Sequence, residues 1–93
     1  MATFRIIAVH LENGERLEHI QKVRATADAS GTVSKPITKD VVNRIKTGID
    51  NFSTLVDGYR ANVRTNRTAA GTEFIETVKD STGKDNLLKL PKF

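Results

Sequence analysis

The segment Ile37–Ile49, ITKDVVNRIKTGI, decides the fold of this chain. Ile37, Val41, Ile45 and Ile49 recur every four residues and Val42 widens the stripe, while Lys39, Asp40, Asn43, Arg44, Lys46 and Thr47 fill the other side. That is the one-faced spacing of a helix lying on a core. Pro36 keeps Lys35 out of helical geometry. Thr38 is placed to cap the helix, with Ile37 and Val42 stapled across the cap. Gly48 supplies the stop, and Arg44 and Lys46 sit in the last turn, where the helix dipole favours cations. A helix of about three turns is marginal alone, so the flanking segments must give it a surface.

Those segments read as strands. Thr3–Leu11, TFRIIAVHL, carries apolar side chains on both alternating faces, as in a central or doubly covered strand. Asn13-Gly14 predicts a two-residue type I′ hairpin turn into a return strand, Arg16–Ala25. In that register Leu11 faces Arg16, Val9 faces Glu18 and Ile7 faces Ile20. Residues 26–35, TADASGTVSK, read as a surface loop. After the helix, Phe52–Val56 and Tyr59–Arg67 form a second hairpin about Asp57-Gly58, with Val56 facing Tyr59, Thr54 facing Ala61 and Phe52 facing Val63 on an inward face. Glu73–Val78 is a short fifth strand. If Arg67 faces Glu73, Phe74 falls on the polar side, which predicts a bulge. Lys79–Lys84 is a turn. Residues 85–93, DNLLKLPKF, form an apolar tail expected to dock at the sheet edge, because an exposed one would be a liability.

The expected fold is therefore α+β: an antiparallel sheet of four to five strands in the order β-β-α-β-β-β, with one helix packed on it. Residues 1–93 make a single domain, large enough to bury roughly 60–65% of its unfolded surface. With no cysteine there is no disulfide framework and no thiolate metal site. No secretory signal and no apolar run of the ~18 residues a membrane span needs are apparent, so a cytoplasmic location and no membrane partner are expected. Fifteen basic against 11 acidic residues, well interleaved, give a net charge of +4. A balance this mild serves solubility and does not by itself require an anionic partner.

The chain resembles the domain of unknown function 3892 family of small, mostly bacterial proteins. The likeness lies in Glu18–Arg24 of the second strand, the glycine-terminated helix, Phe52–Thr54, Tyr59–Val63 and, most specifically, Asp85-Asn86-Leu87-Leu88 through Leu90-Pro91, a motif read as structural. An aromatic plus a basic residue on the last strand is matched only in part, by Phe74, with Glu76 where a basic residue is usual. The resemblance implies a bacterial or phage-related origin and no assigned activity.

Few residues suggest chemistry. His10 and His19 would share a face in the Asn-Gly register, about 7 Å apart on a diagonal, but zinc takes three or four protein ligands and no third is at hand. Ser81-Thr82-Gly83-Lys84 lacks the earlier glycine and the setting of a P-loop. Glu12, Glu15 and Glu18 surround a solvated turn. No cofactor, metal or catalytic residue is expected, and the chain reads as a non-catalytic binding or accessory module acting through protein–protein contacts, with a homo-oligomer as one form. The alternative is a nucleic-acid-binding accessory protein using Arg60, Asn62, Arg64 and Arg67 on a sheet face, with Arg5 and Lys22 as a second basic pair. Against it, Glu76 facing Arg64 and Glu73 facing Arg67 would make ordinary cross-strand ion pairs. For the helix, the sequence predicts that Val41→Asp or Ile45→Asp unfolds the domain while Arg44→Ala changes thermal stability little; equal melting temperatures of all three variants would contradict this reading.

Overall fold

The computed structural model describes residues 2–56, 58–78 and 86–93. Asp57 of the second hairpin turn, the expected turn at 79–84 and Asp85 of the tail motif lie outside the described residues. The elements are β1 (Ala2–Leu11), a 3-10 turn (Leu17–His19), β2 (Ile20–Ala27), β3 (Val33–Ser34), α1 (Thr38–Lys46), β4 (Asp50–Val56), β5 (Tyr59–Arg67), β6 (Glu73–Thr77) and α2 (Asn86–Lys89). Among the described residues no helix is long and apolar enough to cross a membrane.

The α+β class holds, but the sheet is mixed and six-stranded, in the order β3-β2-β1-β4-β5-β6. β1 and β4 run parallel, pairing Ala2–Arg5 with Asp50–Ser53; the other neighbours are antiparallel. The physical reason is the connection. Parallel neighbours need a long crossover, usually through a helix, and α1 lies in the connection that joins the two hairpins.

The first hairpin departs from the two-residue turn. Asn13 does adopt a positive φ of 65°, but the chain then continues into the 3-10 turn, and Leu11 pairs with Ile20, not Arg16, while Val9 pairs with Val23. His19 closes this longer loop. Its carbonyl accepts from the Glu12 amide (3.0 Å), its Nδ1 accepts from the Arg16 amide (3.2 Å), and its ring covers Gly14 so closely that a Cβ there would collide with it. The register shift between Ile6 and Ala8 puts Ile6 and Val9, three residues apart, into the core opposite Ala25 and Val23. The 26–35 segment is not all loop: Val33–Ser34 pairs with Ala25–Thr26.

The second hairpin has the expected register, Val56 to Tyr59 and Thr54 to Ala61, and Phe52 and Val63 are both core residues. Tyr59, expected inward, sits at the end of the ladder and is 76% exposed. β5 and β6 pair residue for residue from Val63–Thr77 to Arg67–Glu73 without the expected bulge. Phe74 thus remains on the outer face, half-buried.

The helix begins at Thr38, the residue expected to cap it, so the cap falls one position earlier. Ile37 is the N-cap, extended at φ −73° and ψ 153°, because it is held in a bridge with Lys22 while Pro36 accepts from the Val23 amide. Thr38 becomes the first helical residue, buried, with no partner for its hydroxyl among the described residues. The inward stripe is Thr38, Val41, Val42 and Ile45, whereas Ile37 and Ile49 are more than half exposed. The stop is as expected. Gly48, at φ 74°, donates to Ile45 O and Ile49 donates to Arg44 O, both at 3.1 Å, which is a Schellman arrangement.

Arg44 is not a solvated residue of the outer face. Its Nε donates to Asp50 Oδ2 at 2.7 Å, and its guanidinium lies 4.8 Å and 5.1 Å from the ring centres of Phe4 and Phe52, themselves stacked at 5.4 Å. It ties α1 to the β1–β4 junction. The tail docks, though not at a sheet edge. It lies against the inner strand β1 beyond the end of the β4 pairing: the Val9 amide donates to Pro91 O (3.0 Å) and Val9 O accepts from the Phe93 amide (3.1 Å). Leu87 and Leu90 enter the common core, and Lys92 Nζ donates to the Leu88 and Leu90 carbonyls at the end of α2.

Two expectations follow for urea unfolding. Leu87→Ala or Leu90→Ala should each cost about 2–5 kcal/mol as buried cavity-forming changes. Arg44→Ala, against the reading from sequence, should cost about 2 kcal/mol through the lost charged hydrogen bond and ring contacts; an unchanged midpoint for Arg44→Ala would remove its bridging role.

Candidate functional site

The arginines of β5 do not form one free basic face. Arg60, Asn62 and Arg64 alternate onto the outer face, but Arg67 has the opposite parity and shares the side of Val63. Each arginine meets a carboxylate: Arg60 and Asp28 at 3.4 Å, Arg64 and Glu76 at 2.7 Å, Arg67 and Glu73 at 3.6 Å. Glu76 also accepts from Asn66 Nδ2 at 3.2 Å. Arg5 and Lys22 do not pair up either. Arg5 lies opposite Thr26 and Lys22 opposite His10, near opposite ends of the β1–β2 ladder.

The two histidines are also apart in role. His19 lies in the 3-10 turn and not on a strand face shared with His10. His10 Nδ1 contacts Phe93 O and its Nε2 lies 3.2 Å from Glu12. Its ring packs near Phe93, which Arg24 covers at 4.8 Å. Among the described residues no group of three or more His, Asp or Glu is arranged to hold a metal ion.

One concave feature among the described residues is a groove of about 720 Å³ between α1, the start of β2 and the turn into β6. Ile20 and Val42, both buried, form its floor, and the exposed Ile37 extends the apolar strip at one end. Its two ends differ in charge. At the N-terminal end of α1 stand Lys22 and Lys39; neither forms an ion pair with a described residue. At the other end, where the 3-10 turn packs on β6, stand Glu12, Glu18 and Glu73. Two of these carboxylates are already matched, Glu18 by Arg16 at 3.1 Å and Glu73 by Lys46 at 2.8 Å and by Arg67, while Glu12 lies 3.2 Å from His10 Nε2.

Sequence reasoning did not find this groove. Its wall depends on the eight-residue hairpin loop and on the bridge that draws Ile37 beside Lys22, both set by tertiary pairing. The one legible trace was Ile37, an apolar residue left outside the helix stripe once the cap moves by one position.

The hydrogen bond from Lys46, reinforced by the charges of Lys46 and Arg67, holds the Glu73 carboxyl below its ordinary value of 4.5, against a smaller opposing effect of desolvation. A carboxyl with a lowered folded value contributes stability that is fully present above its unfolded value and is lost as pH falls through the folded one. Comparison of wild type with Glu73→Gln in urea should show a constant difference above the carboxylate range that shrinks on acidification through it. A difference independent of pH would mean that the Lys46–Glu73 contact is not formed in solution.

Residues 5–91 match the family described as protein of unknown function (DUF3892), nearly the whole chain, and the chain belongs to that family. No curated protein and no solved structure matches the chain significantly.

Proposed function

We propose that this family member is a non-catalytic binding module that acts through protein–protein contacts, with the groove beside α1 as its contact surface. One observation carries the reading: an open concavity with an apolar floor of Ile20 and Val42 and an exposed Ile37, rimmed by side chains of both charges. Binding sites of this kind combine an apolar base with a few polar groups that set orientation. Protein suits the groove better than nucleic acid does, because the apolar floor of Ile20 and Val42 offers a seat to an apolar side chain and none to a phosphate backbone. The apolar tail is occupied within the core through Leu87 and Leu90, so the contact surface is sought at the groove. A bacterial cytoplasm is the setting that accompanies this reading.

The nucleic-acid alternative rests on Arg60, Asn62, Arg64 and Arg67. A phosphate would have to displace Asp28, Glu76 or Glu73 from the arginine it holds, which weakens the counterion-release gain that drives such binding. Peptides selected from a displayed random library should bind the protein, lose affinity with Ile37→Asp and be indifferent to Arg60→Glu plus Arg64→Glu. Selection that yields no binder, or binders insensitive to Ile37→Asp, would overturn the groove reading. Oligonucleotide binding at ~50 mM salt that the double arginine variant abolishes would establish the alternative instead.

A further inference from the structure

We infer that the groove takes an extended acidic–apolar peptide segment, with a carboxylate side chain against Lys22 and Lys39 and an adjacent apolar side chain on Ile20, Ile37 and Val42. This rests on the binding-module reading and names the partner's chemistry. The argument is the unequal electrostatic state of the two ends. At the other end Glu18 and Glu73 are paired with Arg16 at 3.1 Å and Lys46 at 2.8 Å, and Glu12 lies 3.2 Å from His10 Nε2, so that end makes less demand on a ligand. The Lys22–Lys39 end has two ammonium groups and no paired carboxylate among the described residues. Asp40, the acidic side chain next to Lys39, is turned to Arg44 at 3.5 Å. The same end holds the start of α1, whose dipole adds positive potential. The apolar strip runs from that end along α1: Ile37 precedes the helix and is 53% exposed, while Val42 lies one turn on. An anionic group followed at short range by an apolar one matches both features, whereas a basic–apolar segment matches the strip and is repelled at the lysine end. Complementarity of this type sets which partner is accepted and in what direction it lies.

Amide spectra of the labelled full chain, titrated with capped octapeptides centred on Glu-Leu-Glu-Leu, Lys-Leu-Lys-Leu or Ser-Leu-Ser-Leu, test this. The acidic peptide should shift the amides of Lys22, Lys39 and Val42 and bind about tenfold or more tightly than either other peptide, a difference of about 1.4 kcal/mol. Lys22→Glu plus Lys39→Glu should lose the acidic peptide and gain the lysine peptide. Lys39 is exposed and Lys22 half-buried, glutamate in the first helical turn favours the helix, and the spectrum itself reports whether the variant is folded. Equal binding of acidic and lysine peptides, or an acidic peptide indifferent to the double variant, overturns the inference. So does inorganic phosphate shifting the same amides where the acidic peptide does not. If the serine peptide occupies the groove as well as the acidic one, the inference fails while the binding-module reading stands. If no peptide shifts any groove amide, both fail.

Discussion

β4 runs parallel to β1 over only four residue pairs, Ala2–Arg5 against Asp50–Ser53, and that short contact determines where the helix and the tail can lie. The stacked rings of Phe4 and Phe52 face each other across it. Arg44 covers both rings and grips Asp50, the first residue of β4. Asp50 Oδ1 in turn accepts from the Ala2 amide at the start of β1. One partly buried arginine thus connects α1, β4 and β1. Such a site gains from charged hydrogen bonding and ring contact together.

Beyond Arg5 the two strands are no longer paired, and the backbone of β1 needs other partners. A buried strand interior does not tolerate unmatched amides and carbonyls. The tail answers this at Val9, whose amide and carbonyl both bond to Pro91–Phe93. Leu87 and Leu90 fill the space beneath, in one core with Ile6, Val9, Phe52 and Ile75. The tail is therefore a structural member of the sheet. The large apolar side chains left outward are Ile37 beside the groove and, elsewhere, Val33, Ile49, Leu55, Tyr59 and Val78.

The sequence was most legible where short-range rules act alone. The Schellman end at Gly48, the register of the β4–β5 hairpin and the cross-strand pairs of Arg64 with Glu76 and Arg67 with Glu73 all follow from local spacing. It was least legible where two distant segments compete for the same residue. Ile37 had the helical period, yet the extended bridge to Lys22 took it out of the stripe. Asn13-Gly14 had the composition of a two-residue turn, yet burying Ile20 opposite Leu11 required a longer loop. Arg44 looked solvated because the aromatic pair beneath it comes from two strands separated by 48 residues. The parallel β1–β4 contact had no local signature, and the groove inherits that, since its walls are set by the same long-range pairing.

Amide hydrogen exchange under native conditions tests this account most directly. If the tail completes the sheet where β4 departs, the amides of Val9 and Phe93 should be protected to nearly the same degree as core amides of the β1–β2 ladder, opening only with global unfolding. Fast exchange at Val9 and Phe93 beside a protected β1–β2 ladder would show that the tail is not part of the sheet. It would also return its apolar residues to the surface as the place to look for a partner.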